Sequence, residues 1–111
     1  MIKTIPQVAA INRGESPKLR EVKLSQSEQI ISQISARLQP IIGVESAWLE
    51  NLGEIINVYI ETNNVRNATL YPVFDAQYEV ESEYSSLIFH FIVNPLDLEQ
   101  IQTSSRIRRL F

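Results

Sequence analysis

At 111 residues, with 44% apolar and 21% charged residues, the chain is long enough for one domain with its own core. It has no cysteine, which excludes a disulfide framework, a thiol nucleophile and a cysteine-based zinc site. The formal net charge is −3, but the charge is unevenly distributed. Residues 1–23 carry five basic and two acidic side chains, residues 24–100 carry two basic and eleven acidic ones, and residues 101–111 carry three arginines and no acid. The sequence therefore predicts an acidic body with two basic ends.

Membrane and cofactor functions find no support in the sequence. No window approaches the ~20 apolar residues of a membrane span, and the first residues do not form a secretory signal. We therefore expect a cytoplasmic protein with no membrane contact. With only three glycines, the chain has no phosphate-binding loop, and no metal or nucleophile motif occurs either. We expect no cofactor.

The first 23 residues resemble an arm more than a regular element. Pro6 interrupts the spacing of the apolar residues, and a cluster of helix-breaking residues follows at Gly14, Ser16 and Pro17. The first predicted helix begins at Ser25, since Ser25 and Glu28 form a capping box. It ends before Pro40, and its apolar residues recur at helical spacing at Ile30, Ile31, Ile34 and Leu38.

Two strand-like runs follow, Val44 to Leu49 and Ile55 to Ile60, and a short Asn- and Gly-containing loop separates them. This pattern predicts a β-hairpin. The segment from Thr69 to Tyr84 fits a helix with a cap at Thr69 and Pro72 in its first turn. The helix face would contain Leu70, Val73, Phe74, Gln77, Val80 and Tyr84. The alternation from Tyr78 to Tyr84 also fits a strand, but we favour the helix.

The run from Leu87 to Val93 is the strongest strand pattern, because it is almost entirely apolar, β-branched or aromatic. Asn94 and Pro95 then fit the cap and first turn of a short helix that ends near Gln102. Residues 103–111 are predicted to be a basic tail. We therefore expect three segments: an N-terminal basic arm (1–23), a domain (24–102) and a C-terminal tail (103–111).

Together these elements predict an α+β fold, a two-layer sandwich in the order arm, α, β, β, α, β, short α. The hairpin would be followed by a right-handed crossover to a third strand, parallel to the second. The face of the sheet turned away from the helices would be apolar, and it would carry Trp48, Ile55, Tyr59, Ile88, His90 and Ile92. Monomers rarely leave such a face exposed, so the arm, the tail or a second copy must cover it.

The acidic residues Asp75, Glu79 and Glu83 recur at helical spacing and would form one stripe. A single stripe does not converge on a metal, so it is either a solvated face or a docking site for the basic ends. Arg106, Arg108 and Arg109 are the candidate partners of this stripe in the tail. Three arginines beside an acidic body disfavour nucleic acid as a partner.

Three functions are compatible with these observations. The leading hypothesis is a non-enzymatic interaction module that associates as a homodimer, or with a protein partner, through the apolar face. The second is a small enzyme or ligand-binding domain with a pocket near His90, the only histidine. The third is weak nucleic-acid binding through the basic ends.

Overall fold

The computed structural model describes the backbone from Ser16 to Phe111 and the side chains from Gln26 onward. By its internal contacts the chain divides into a unit of Met1–Ile30 and a unit of Ile31–Phe111. The sheet and every side-chain contact described below belong to the second unit. Residues 1–15 of the predicted arm, including its apolar residues, lie outside the described residues.

Three helices and four strands are described. The helices are α1 (Ser16–Leu38), α2 (Asn67–Glu83) and α3 (Leu98–Thr103). The strands are β1 (Val44–Asn51), β2 (Ile55–Thr62), β3 (Ile88–Val93) and β4 (Ile107–Arg109). The predicted α+β fold and its element order are confirmed.

The four strands form one mixed sheet in the order β3-β2-β1-β4. β1 and β2 are the predicted antiparallel hairpin, with Trp48 opposite Tyr59. β2 and β3 are parallel, with Ile55 opposite Ile88, as expected for two strands joined by a crossover helix. The alternative of a strand at Tyr78–Tyr84 is wrong, since α2 continues to Glu83.

The core lies between the sheet and the helices. Alternate residues of a strand point to opposite faces, and on β2 the buried residues are Ile56, Val58 and Ile60. The largest fully buried side chains come from α1, β2, α2 and β3, and they are Ile34, Leu38, Val58, Ile60, Val73, Val80 and Phe89. At about 1.5–3 kcal/mol for each large apolar side chain, this burial is the main stabilising contribution to the fold.

Several predicted element ends were wrong. α1 begins at Ser16, nine positions before the capping box, so the helix continues through Ser25. Pro17 is compatible with this start because proline is tolerated in the first turn of a helix. α2 begins at Asn67, and Thr69 is a buried residue of its first turn whose hydroxyl donates to the Ile42 carbonyl (2.8 Å). Pro72 accordingly lies in the second turn.

Asn94 does not cap α3, which begins at Leu98. Its backbone has φ 50°, in the left-handed region that asparagine tolerates better than most residues. Its side-chain oxygen accepts from the Thr62 amide (2.8 Å), and its side-chain nitrogen donates to the Thr62 hydroxyl (2.8 Å). Asn94 therefore joins the carboxyl ends of the parallel strands β2 and β3.

The C-terminal segment is not a free tail. β4 adds a fourth strand to the sheet by pairing antiparallel with β1, with Arg109 opposite Trp48 and Ile107 opposite Glu50. The Leu110 amide extends this ladder by donating to the Ala47 carbonyl (2.7 Å). This strand was not predicted, because a segment of three residues with two arginines is too short to show the alternation of a strand.

Candidate functional site

All six predicted interface residues share one face of the sheet. The strand register places Tyr59 beside Trp48 on one side and beside Ile92 on the other. Ile55 lies opposite Ile88, and His90 lies on the same face as Ile88 and Ile92 because the side chains of a strand alternate. This face is opposite the one that buries Val58 and Phe89. We call it the second face.

The end of the chain covers part of the second face. Trp48 is only 3% exposed, and the Arg109 guanidinium lies 5.6 Å from the centre of its ring, in cation–π geometry. The same guanidinium donates to the Ser46 hydroxyl (3.2 Å). Trp48 was predicted to lie in the interface. It is covered by its own chain and is therefore not part of the exposed surface.

The right-handed crossover rule predicts that α3 lies on the second face. β4 is parallel to β3. The connection that contains α2 leads from β2 to its neighbour β3. The connection that contains α3 leads from β3 across the sheet to β4, which is the opposite direction. If both crossovers have the usual right-handed sense, α2 and α3 lie on opposite faces. Two observations agree: Ile101 of α3 is buried, and Asp97, which precedes α3, lies near enough to Tyr59 to raise its pKa.

The rest of the second face stays open. Ile55 is 36% exposed and Ile88 is 51% exposed, His90 is also exposed, and Ile92 is half-buried. We call these four residues the open patch. They occupy β2 and the edge strand β3, and none is acidic, lysine or arginine. The open patch therefore consists of three isoleucines and one histidine, and it extends from β2 to the β3 edge of the sheet.

A line of hydrogen bonds crosses the second face and ends at His90 of the open patch. Glu50 Oε1 accepts from the Tyr59 hydroxyl (2.7 Å) and from Asn57 Nδ2 (3.2 Å). Asn57 Oδ1 lies 3.2 Å from His90 Nδ1, so an imidazole protonated at Nδ1 donates to it. We call these four residues the polar relay, and they connect β1, β2 and β3.

The environment of Tyr59 raises the pKa of its hydroxyl above the ordinary value of about 10. Partial burial is the largest cause, because it disfavours the phenolate. The hydrogen bond to Glu50 and the negative charge of that carboxylate act in the same direction. Tyr59 is therefore a neutral hydrogen-bond donor at physiological pH.

The residues predicted for electrostatic docking lie in two separate sets of contacts. On α2, Glu79 and Glu83 both bind Arg37 of α1, at 3.0 Å for Glu83 Oε1. Asp75 is exposed one turn earlier. In the C-terminal segment Arg109 contacts Trp48 and Ser46, while Arg106 and Arg108 are exposed at the surface. Two residues of the acidic stripe, Glu79 and Glu83, thus bind Arg37, a contact that sequence reasoning did not assign.

The two edges of the sheet differ sharply. β4 is three residues long and includes Arg108 and Arg109, and natural proteins use short strands and charges to keep an edge from pairing with another strand. β3 is six residues long, IFHFIV, and contains no acidic residue, lysine or arginine. Among the described strands β3 has β2 as its only neighbour.

Phe74 was predicted to share one helix face with Val73 and Val80, but unlike them it is 47% exposed. The buried positions of α2 are Thr69, Val73, Ala76 and Val80, and Phe74 lies about 100° around the helix from Val73. Gln77, one turn after Phe74, reaches the β3 edge, where its Nε2 donates to the Phe89 carbonyl (3.1 Å). The side of α2 that carries Phe74 therefore borders β3.

The described part of the chain lacks a metal-binding cluster and a membrane-spanning helix. It contains no group of three or more His, Cys, Asp or Glu side chains that could hold a metal ion. Nor does it contain a helix long and apolar enough to cross a membrane. No family model matches the sequence, and comparisons with curated proteins and with solved structures return no match.

Proposed function

We propose that this protein is an interaction module that associates with a second copy of itself through the β3 side of its sheet. The observation that carries the proposal is the open patch, where the paired residues Ile55 and Ile88 are exposed side by side on adjacent strands. Large contiguous apolar patches on a protein surface mark interaction sites.

Energetics favour the apolar side chains as the source of affinity. Complete burial of an isoleucine contributes about 1.5–3 kcal/mol, whereas an exposed ion pair contributes about 0–1 kcal/mol. The six-residue strand at the centre of the proposed surface has no charge to orient a partner. Charges elsewhere on the acidic body would affect the rate and salt dependence of association more than its strength.

A second copy fits this surface better than a charged partner. In a twofold dimer the same surface serves both partners, so a patch without acidic, lysine or arginine side chains meets its own copy. Twofold dimers are also the commonest closed assemblies of soluble proteins. At physiological ionic strength, exposed charges on the two copies, each with a net charge of −3, are largely screened beyond about 8 Å.

The polar relay supports this function more than a ligand pocket. Its donors and acceptors bond to one another across three strands, and His90 is exposed on the surface of the sheet. A catalytic imidazole needs an orienting group and a substrate within hydrogen-bond reach. Asn57 contacts the His90 ring and could orient it. Asn57 also bonds to Glu50, which in turn bonds to Tyr59. These linked contacts favour a role for His90 in holding the sheet surface together.

A matched pair of substitutions tests the proposal. Ile88→Asp puts a charge in the open patch, and we expect it to weaken dimerisation at least tenfold because burying an unpaired carboxylate is costly. Ile42→Asp makes the same chemical change at a residue that is 87% exposed outside the patch, and it should leave association unchanged. Sedimentation equilibrium measures both dissociation constants, and circular dichroism verifies folding. Equal effects of the two substitutions would contradict the proposal.

A further inference from the structure

We propose that β3 pairs antiparallel with β3 of a second copy, across a twofold axis at Phe91, to form one continuous sheet of eight strands. Each copy contributes the four strands β3-β2-β1-β4. This inference rests on the proposed self-association and specifies how the two copies meet. Two features support it: the backbone groups of β3 and the exposed side chains on both faces of the sheet. The backbone groups also determine the register.

The backbone of β3 has hydrogen-bonding groups that point away from the sheet. The Ile88 amide donates to the Glu54 carbonyl (2.8 Å), and the Asn94 amide donates to the Ile60 carbonyl (2.7 Å), so even-numbered residues face β2. Alternate residues of a strand direct these groups to opposite sides. Phe89, Phe91 and Val93 therefore direct theirs to the edge, and the bond from Gln77 to the Phe89 carbonyl verifies that direction.

Exposed apolar side chains lie on both sides of this edge. On the second face Ile88 is half exposed, and on the opposite face Phe74 is nearly as exposed. Face-to-face packing of two sheets would cover Ile88 but would leave Phe74 in water. Pairing along the edge brings Ile88 and Phe74 toward the second copy, whereas Ile55, one strand farther in, stays outside this contact.

The register follows from which residues can pair. An axis at Phe91 pairs Phe91 with Phe91 of the second copy and Phe89 with Val93 of the second copy, so all three outward residues bond. An axis at His90 would leave Val93 unpaired and would place the two imidazoles directly opposite each other. The bond from Gln77 does not block this register, since a carbonyl oxygen accepts two hydrogen bonds.

Introduced cysteines test the register, and the chain has no native cysteine to interfere. With the axis at Phe91, His90 faces Ile92 of the second copy in a non-hydrogen-bonded pair, where the Cα atoms lie about 4.5 Å apart. Disulfides span Cα separations of about 4.4–6.8 Å. Under oxidised glutathione, the double variant His90→Cys/Ile92→Cys should form a covalent dimer on non-reducing gels, and His90→Cys alone should not.

Ile55→Cys distinguishes edge pairing from face-to-face packing. Neighbouring strands lie about 4.8 Å apart, so edge pairing keeps the two copies of β2 about three strand spacings from each other, beyond disulfide reach. We expect no cross-link in Ile55→Cys. Ile42→Cys, outside the patch, measures random cross-linking.

Each outcome has a distinct meaning. Cross-linking of His90→Cys alone would overturn the register, and cross-linking of Ile55→Cys would overturn edge pairing. A dimer by sedimentation that none of these variants cross-links would contradict this inference but leave the proposed function standing. A strict monomer by sedimentation would contradict both.

Discussion

At the scale of single residues, Tyr59 is the best-defined chemical reporter of the second face. Its hydroxyl donates to Glu50 Oε1 at 2.7 Å, and burial and that carboxylate together raise its pKa. Because the folded-state pKa lies above the unfolded value, this contribution to stability is complete below pH ~10. It is lost as the pH rises through the folded-state pKa.

Glu50→Gln should lower the pKa of Tyr59, because glutamine can still accept the hydrogen bond but carries no negative charge. The pKa should stay above its ordinary value, since burial is the largest cause of the shift. Carbon-13 NMR of labelled tyrosine rings measures the titration, with Tyr59→Phe to identify the signal. An unchanged or higher pKa in Glu50→Gln would show that the carboxylate does not act on Tyr59.

Gly43 and Gly53 offer a second test at this scale. Both have positive φ, 98° and 95°, so alanine strains the backbone at either position. At Gly43 an added Cβ would also lie 2.5 Å from Thr69 Oγ1, the atom that donates to Ile42, whereas at Gly53 nothing lies within 4 Å. We expect Gly53→Ala to cost about 1 kcal/mol and Gly43→Ala about 1–3 kcal/mol more. Urea unfolding measures both, and equal losses would contradict the close packing of Thr69 on Gly43.

At the scale of elements, Arg37 joins the end of α1 to α2. It bonds to Glu79 and Glu83, and its side chain is 27% exposed. Arg37→Met keeps most of the aliphatic stem and removes the charge, so it isolates the ion pairs. We expect a loss of about 1 kcal/mol in unfolding free energy at low salt, decreasing as salt screens the pairs. Arg66→Met is the matched control at an exposed arginine, and the same loss there would mean that the Glu79 and Glu83 contacts contribute nothing.

Element types were predictable from the sequence where a period was strong, and element ends were not. Positions that are buried in the fold require apolar residues. This requirement produces the alternation in β2 and the apolar run of β3, and both can be recognised in the sequence. α1 begins earlier than predicted because a capping box is compatible with a helix start but does not require one. β4 could not be predicted, since its conformation depends on hydrogen bonds to β1, a strand more than fifty residues away in sequence.

The predicted interface residues are correctly assigned to one face, because strand alternation alone determines the face. Their exposure was not predictable. Trp48 is covered by Arg109, and that contact exists only because β4 pairs with β1. The position of β3 at an edge of the sheet could not be predicted from the sequence either, since strand order is a property of the tertiary fold.

At the scale of the whole molecule, the C-terminal basic segment acts through packing as well as charge. Its strand bonds to β1, and Arg109 covers Trp48 and binds Ser46. Glu79 and Glu83 of the acidic stripe bind Arg37. One edge of the sheet is thus closed by an arginine-rich strand and the other is left uncharged, which gives the molecule a single preferred side for self-association in our proposal.

The most direct test of this account is sedimentation equilibrium of the full chain from low micromolar concentration to about 1 mM, where even an association worth only ~4 kcal/mol is detected. We expect the mean mass to rise with concentration from the 12.7 kDa of one copy toward twice that value, and to fit a reversible dimer. A mass that stays at one copy throughout this range would contradict the proposed function.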